Sequence, residues 1–336
     1  MNTSLSEICG GFITAPVLSV QPLGGGNIND TYLADTGNGI FVLQRLQKAM
    51  DTRKLTYNYE LYSPLFGKEG IAFPKWLNTR EGGYFLRDRS GGAWRMYSYI
   101  EGDILTPPLE KAELYSCGRG LGKMHLLLSR LPRSPKAVYP KLHDLEHYYD
   151  RFLHTLQSKA EANDRDMGTE KKLHDLVLRH LSEKCGRNDI IHGDPKLGNI
   201  IFQGGSVKGF IDLDTVMTGS AAEDAADCIR SCCVKDGTLD RDAAYTLLDA
   251  YISVTGNTHI RDDVPRSFDK ICCELALRYY TDSVSSEKVF REKYPGYHLE
   301  RAKALLSLSW EGVKGEGAFS QDPFRRSKAL PFREEE

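Results

Sequence analysis

The sequence predicts an α+β fold in two lobes, β-rich over residues 1–100 and predominantly helical over residues 101–336. Three observations carry this expectation. The first hundred residues alternate short β-branched and aromatic runs with glycine turns, the remainder is dominated by long segments of helical periodicity, and 336 residues exceed what one core usually spans. Hydrophobic content of 40% and charged content of 27% are ordinary for a globular chain, and a formal net charge of -2 argues against a general nucleic-acid binder. No basic, apolar leader opens the chain and nowhere do about 18 apolar residues run together, so no membrane partner is expected and the expected location is the cytoplasm. The eight cysteines are scattered, which fits reduced thiols. Cys228, Cys232 and Cys233 lack a Cys-x-x-Cys pair, and their i, i+4 spacing fits a buried helix face better than a metal site.

Taken in order, Val20, Thr31-Tyr32-Leu33 and Ile40-Phe41-Val42-Leu43 predict three strands, the first two joined by the loop Gly24-Gly25-Gly26-Asn27-Ile28-Asn29. Residues 54–66 place Leu55, Tyr59, Tyr62 and Phe66 at helical spacing. A strand pair is expected around Gly82-Gly83 and Gly91-Gly92, and residues 94–100 alternate as a strand that runs into a hinge at Glu101-Gly102-Asp103. Helices are expected over residues 110–131, 145–158, 169–185, 240–255, 264–284 and 298–310, and residues 319–336 read as a polar tail.

The chemistry concentrates between residues 189 and 215. Asp189-Ile190-Ile191-His192 reads as a strand, and residues 199–203 and 207–213 form a hairpin about Gly204-Gly205. Pairing about that turn sets Asn199 near Phe210 and Asp212 near Leu197, so Asn199 and Asp212 can reach one cation. Asp194 lies in the loop before them. Phosphoryl transfer asks for a carboxylate to orient and deprotonate a hydroxyl, a role Asp194 fits, and for cations to neutralise phosphate. The hard oxygens of Asn199 and Asp212 suit Mg2+. Lys196 either neutralises the transferring group or decorates the loop. The glycines at 24–26 either bring backbone N–H groups close to nucleotide phosphates or make a plain hairpin turn. Asp224, Asp227 and Arg230 read as a capped helix bracing the loop, and His125, after Gly118-x-x-x-Gly122, as a packed helix residue.

His192-x-Asp194-x-x-x-x-Asn199 followed by Ile211-Asp212 resembles the protein-kinase-like family of aminoglycoside phosphotransferases, choline kinases and related sugar kinases. The resemblance implies a bilobal protein-kinase-like fold, ATP as co-substrate and Mg2+. Asp212-Leu213-Asp214 replaces Asp-Phe-Gly and no Ala-Pro-Glu follows, so the acceptor is expected to be a small molecule and not a polypeptide. Where such folds carry a strand lysine paired with a helix glutamate, this chain has Gln44, with Glu60 expected to face it. Arg45, the next residue, points to the other face of the strand. The expected nucleotide-binding set is Gly24, Gly25, Gly26, Gln44, Glu60 and Tyr99.

A narrower resemblance, to bacterial N-acetylhexosamine 1-kinases, rests on Gly26-Asn27-Ile28-Asn29-Asp30-Thr31-Tyr32, Phe41-Val42-Leu43-Gln44, Gly91-Gly92-Ala93-Trp94-Arg95, the loop 192–199, Ile211-Asp212-Leu213-Asp214-Thr215 and Lys293-Tyr294-Pro295. It implies phosphorylation of the anomeric hydroxyl of N-acetylglucosamine or N-acetylgalactosamine, with Asp214 and Arg278 holding sugar hydroxyls and Tyr279 or Asp282 nearby. Read from the residues alone, Asp214 is equally a surface charge, and Arg278 a helix salt-bridge partner of Glu274 or Asp282. Two other readings stand beside it. Choline, an amino alcohol or an aminoglycoside is one acceptor class, although residues 271–300 hold five Asp or Glu against four Lys or Arg, not the acidic trough a polycation prefers. A non-catalytic nucleotide-binding protein, motivated by Gln44, is the other. Oligomeric state is left open.

Overall fold

The protein is described here from a computed structural model covering residues 4–24, 29–66, 70–158, 165–181 and 188–312; Gly25, Gly26, Cys185 and the expected tail at 319–336 lie outside the described residues. The chain begins with a helix that periodicity did not indicate, α1 (Leu5–Gly10). It is set by a capping box: Ser4 Oγ accepts from the Glu7 N–H at 3.2 Å and the Glu7 carboxylate accepts from the Ser4 N–H at 2.8 Å.

The strands β1 (Val17–Pro22), β2 (Asp30–Thr36) and β3 (Gly39–Arg45) precede the helix α2 (Thr52–Phe66), and β4 (Leu86–Arg87) and β5 (Ala93–Ser98) complete an antiparallel sheet of order β1-β2-β3-β5-β4. The strand pair expected around two glycine doublets is displaced. Gly82, Gly83 and Gly91 all have positive φ and sit in turns, which confines the strands to their flanks. Alternation along β3 and β5 decides what reaches the site. Leu43, Trp94 and Met96 pack against Ile8, Cys9 and Phe12 beside α1, which leaves Gln44, Arg95 and Tyr97 on the opposite face. That face meets Trp76, which stacks on Tyr59 of α2 at 4.3 Å.

After residue 100 the described chain is mainly helical: α3 (Lys111–Leu128), α4 (Leu145–Ser158), α5 (Met167–Leu181), then strands β6 (Asp189–Ile191), β7 (Ile200–Gln203), β8 (Ser206–Phe210) and β9 (Met217–Gly219), and α6 (Ala221–Cys232), α7 (Arg241–Thr255), α8 (Ile260–Val284) and α9 (Tyr297–Leu306). One apolar core runs from α2 through the β7–β8 hairpin into α3, α6, α7 and the first turns of α8, while a second joins α4 and α5 to the remainder of α8 and α9. The expected hinge is tied to the hairpin by two backbone bonds, Asp103 N–H to Phe202 O and Phe202 N–H to Asp103 O, both 2.8 Å. All seven described cysteines are free and buried, with the Cys228 and Cys232 sulfurs 3.9 Å apart on α6. Among the described residues no helix is long and apolar enough to cross a membrane.

Candidate active site

The β7–β8 hairpin turns at Gly204 and Gly205, both at positive φ as a two-residue turn requires. Its register differs from simple pairing about that turn. A bulge between Ile201 and Phe202 puts Ile200, not Asn199, opposite Phe210, and Asn199 instead accepts the Ile211 N–H at 2.9 Å. The extra residue is accommodated because this edge of β8 also binds Ala72, which donates to Lys208 O and accepts from the Phe210 N–H. Asn199 and Asp212 still flank the same end of the hairpin. Asn199 closes a short 3-10 turn, and Asp212 holds a left-handed backbone at φ 60°.

The loop 192–199 is held from beneath. Asp224 of α6 accepts the N–H groups of His192 and Gly193 at 2.7 and 2.9 Å and also contacts His125 Nε2 at 2.9 Å, while His125 Nδ1 meets the Tyr251 hydroxyl. The bracing helix is thus as expected, and His125 does more than pack. Gly193 is required where it stands: its φ is 84°, and a Cβ there would lie 2.6 Å from the Thr215 carbonyl oxygen. His192 is fully buried; its Nε2 lies 3.0 Å from the Ile211 carbonyl oxygen and its Nδ1 accepts from the Asp194 N–H.

On this scaffold Asp194, Lys196 and Asn199 come together. Lys196 Nζ donates to Asp194 Oδ2 at 2.5 Å, and Asn199 Nδ2 donates to the same oxygen at 3.1 Å and to the Asp194 carbonyl at 2.8 Å. Burial alone would lower the Lys196 pKa, but the carboxylates of Asp194 and Asp212 more than reverse this and keep it charged. Asp212 is exposed, yet the surrounding protein crowds its carboxyl. That confinement, then the charges of Asp214 and Asp194, push its pKa up to about 6.

Gln44 is buried and makes a partnership the sequence did not disclose. Its Oε1 accepts from Arg95 Nε at 2.9 Å and Nη2 at 2.5 Å, and its Nε2 donates to Thr31 Oγ1 at 3.2 Å. Arg95 in turn forms a fork with Asp214, Nη1 to Oδ1 at 2.7 Å and Nη2 to Oδ2 at 2.6 Å. One expectation is corrected here. Glu60 is exposed on α2 and does not supply the partner of Gln44, because Leu55, Tyr59 and Tyr62 take the inward face of that helix. Each oxygen of Asp214 accepts one bond from Arg95, and the side chain is buried, so it is not the surface charge that was its alternative reading. Arg45 points to the other face, as expected, and pairs with Asp88 at 3.2 Å. Gly24 borders the glycine loop with open space where a Cβ would lie, and the Tyr99 N–H donates to Ile40 O at the end of the β3–β5 ladder.

On the far side of the loop, Arg278 pairs with Glu274 at 3.4 Å and lies over the rings of Tyr148 at 4.7 Å and Phe290 at 5.0 Å. Tyr279 is part of the second core, stacked on Phe290 at 4.4 Å and against Tyr297, so its ring is taken up by packing. Asp282 fixes the segment after α8 by accepting from the N–H groups of Val289 and Phe290, and Arg291 from that segment reaches Asp30 beside the glycine loop at 2.6 Å. A 290 Å³ cavity between Gln47, Ala49 and Met50 on one side and Tyr139, Lys141 and Tyr148 on the other opens in the same region. The Tyr139 phenol has its pKa raised by burial and then by Asp214 and Asp212, which places this wall near the carboxylate cluster.

His143, another residue that sequence reasoning missed, joins this side to the loop. Its Nε2 lies 2.9 Å from the Gly193 carbonyl oxygen and its Nδ1 3.3 Å from the Glu274 carboxylate. Burial would lower its pKa, but the Glu274 charge overcomes this and pushes it up to about 10, so both nitrogens donate at neutral pH. A histidine raised in the folded state stabilises fully below its unfolded value near 6.5, and that contribution drains away as pH rises through 10. Thermal denaturation of the protein from pH 6 to 10 should therefore show a decline that His143→Gln lacks. The variant should lose about 3–5 kcal/mol near pH 7, the cost of stripping one partner from a buried pair. Parallel melting curves for the two proteins would contradict the protonated assignment.

Residues 19–255 match the phosphotransferase enzyme family. A homoserine kinase of Rhodopseudomonas palustris (strain HaA2) is 25% identical over 259 residues, covering 74% of each chain. A homoserine kinase of Gluconobacter oxydans (strain 621H) is 22% identical over 319 residues, 91% of this chain and 96% of that one. Among solved structures, the GDP complex of wild-type aminoglycoside 2'-phosphotransferase-IIIa aligns with a TM-score of 0.61 at 14% identity, over 89% of this chain and 96% of that one. The streptomycin-ATP-APH(2")-IIa ternary complex aligns at 0.59 and 14% identity over 93% and 99%. The fold is therefore the bilobal, protein-kinase-like one. The curated relatives bear the name homoserine kinase, where the sequence resemblance had pointed to N-acetylhexosamine 1-kinases.

Proposed function

Because the chain belongs to the phosphotransferase enzyme family, we propose that it transfers the γ-phosphoryl group of ATP to a hydroxyl of a small molecule, N-acetylglucosamine or N-acetylgalactosamine, at the anomeric oxygen. The observation that carries the reaction class is the contact of Asp194 with Lys196 and Asn199 beside Asp212. Lys196 and Asn199 both engage Oδ2 of Asp194, which sets the carboxylate's orientation for taking the acceptor proton as the acceptor oxygen bonds to phosphorus and ADP departs. Lys196 adds positive charge at the same point.

The residues fit Mg2+. Asn199 and Asp212 flank the same end of the hairpin, and Asn199 spends its amide N–H groups on Asp194, which leaves its carbonyl oxygen free of that contact, although no group of three acidic, His or Cys side chains suited to a metal occurs among the described residues. Asn199 and Asp212 would hold the ion, which when bound neutralises phosphate charge. With Asp212 titrating near 6, protons compete with the cation below that pH.

The acceptor choice draws on Ile211-Asp212-Leu213-Asp214-Thr215 and on the cavity, whose Tyr139 and Tyr148 rings and Gln47 amide suit a neutral polyhydroxyl compound. Homoserine is the second reading, favoured by the names of the relatives. Parallel incubations with Mg-ATP and each of the two acceptor types, followed by phosphorus NMR, decide between them. An acid-labile anomeric phosphate is the expected product. Turnover of homoserine alone would replace the sugar reading, and turnover of the borohydride-reduced sugar would rule out the anomeric position. ATP binding without transfer to any acceptor in a broad screen would sink the kinase reading.

A further inference from the structure

We propose that Arg95 is a positioning residue that supplies, from β5, the cation that a strand lysine would supply from position 44, and that ties the sheet to the turn after Asp212. The inference rests on the phosphotransfer reading above. Gln44 and Arg95 are cross-strand partners in the β3–β5 ladder, so their side chains leave the sheet from the same face and reach one volume. That volume is closed to water: Gln44, Arg95 and Asp214 are 8%, 3% and 4% exposed. The guanidinium lies over Trp76 at 4.8 Å and Tyr97 at 5.5 Å, so ring faces cover it while its edge binds Gln44 and Asp214.

The consequence concerns geometry. Asp214 lies two residues beyond Asp212 in the turn Leu213–Thr215, and the fork from Arg95 is its anchor on the sheet. A lysine at position 44 with a helix glutamate would tie sheet to helix. Here the cation ties the sheet directly to the turn that follows Asp212, which accounts for the glutamine at 44 and leaves Glu60, turned to solvent by the packing of α2, without that role. Gln44 orients the guanidinium, and Arg95 holds the turn.

The test is a swap read by calorimetric binding of Mg-ATP and by steady-state kinetics. Arg95→Gln should weaken Mg-ATP binding by tenfold or more and raise KM for Mg-ATP more than it lowers kcat. The exchange Gln44→Lys with Arg95→Gln, which returns one cation to the same volume from the other strand, should restore binding to within threefold of the wild-type protein. If Arg95→Gln stays folded by circular dichroism and binds within twofold of wild type, the positioning role is overturned. If it does not fold, the exchange alone decides: a folded, binding protein supports the inference and an unfolded or non-binding one overturns it. An exchange that binds no better than a folded Arg95→Gln also overturns it. Absence of Mg-ATP binding by the wild-type protein would instead defeat the phosphotransfer reading.

Discussion

Asp194→Asn is expected to lower kcat by about 10²–10⁴-fold while leaving Mg-ATP affinity within a few-fold of wild type, the loss that removal of a general base produces. The geometry explains the split. Asparagine is nearly isosteric and can still accept from Lys196 and from Asn199 Nδ2, so the loop 192–199 keeps its shape on Asp224 and His143. What it cannot do is take the acceptor proton. A single-turnover experiment with saturating acceptor isolates that step from product release, and unchanged turnover there would remove Asp194 as the base.

Asp212→Asn should reduce kcat/KM by roughly 10³-fold or more, with the divalent-ion requirement moved to higher concentration, because a charged ligand to the cation is replaced by a neutral one. The same substitution should raise the stability of the protein in the absence of divalent ions. A carboxyl whose folded pKa lies near 6, above its unfolded value near 4, destabilises the fold as pH climbs from 4 to 6 and throughout the range above. Solvent in the cleft screens part of this repulsion, so the melting temperature should rise by only about 1–3 °C at pH 7.5 and converge with wild type near pH 4. A variant that is less stable than wild type at pH 7.5 in EDTA would show that Asp212 serves the fold and not a cation.

Local patterns were legible where a single element settles them. The helix expected over residues 145–158 coincides with α4 at both of its ends, and Leu55, Tyr59, Tyr62 and Phe66 turned inward on α2 as their spacing required. The helix α1 escaped because six residues are too short for a period, although Ser4 followed by Glu7 carries the signal of a capping box. The hairpin register moved by one residue because a bulge answers to Ala72, more than a hundred residues away in the chain, and not to the Gly204-Gly205 turn. Tyr279 and Glu60 illustrate the same limit: each stands at a plausible spacing, and the packing of neighbouring elements sends one into a core and the other to solvent.

By itself the sequence determined the two-lobed α+β plan and the loop 192–199 with Asp194, Lys196 and Asn199, because strand, loop and turn there are contiguous and their chemistry is written in adjacent residues. Only the tertiary structure decided that Arg95 joins Gln44 to Asp214 and that His143, charged through Glu274, supports Gly193. An isolated charge gains nothing from burial, and whether it finds an opposite charge in the same dry volume depends on how β5 meets the hairpin and how α8 meets the loop. Those meetings join residues between 50 and 131 positions apart, beyond the reach of any local period.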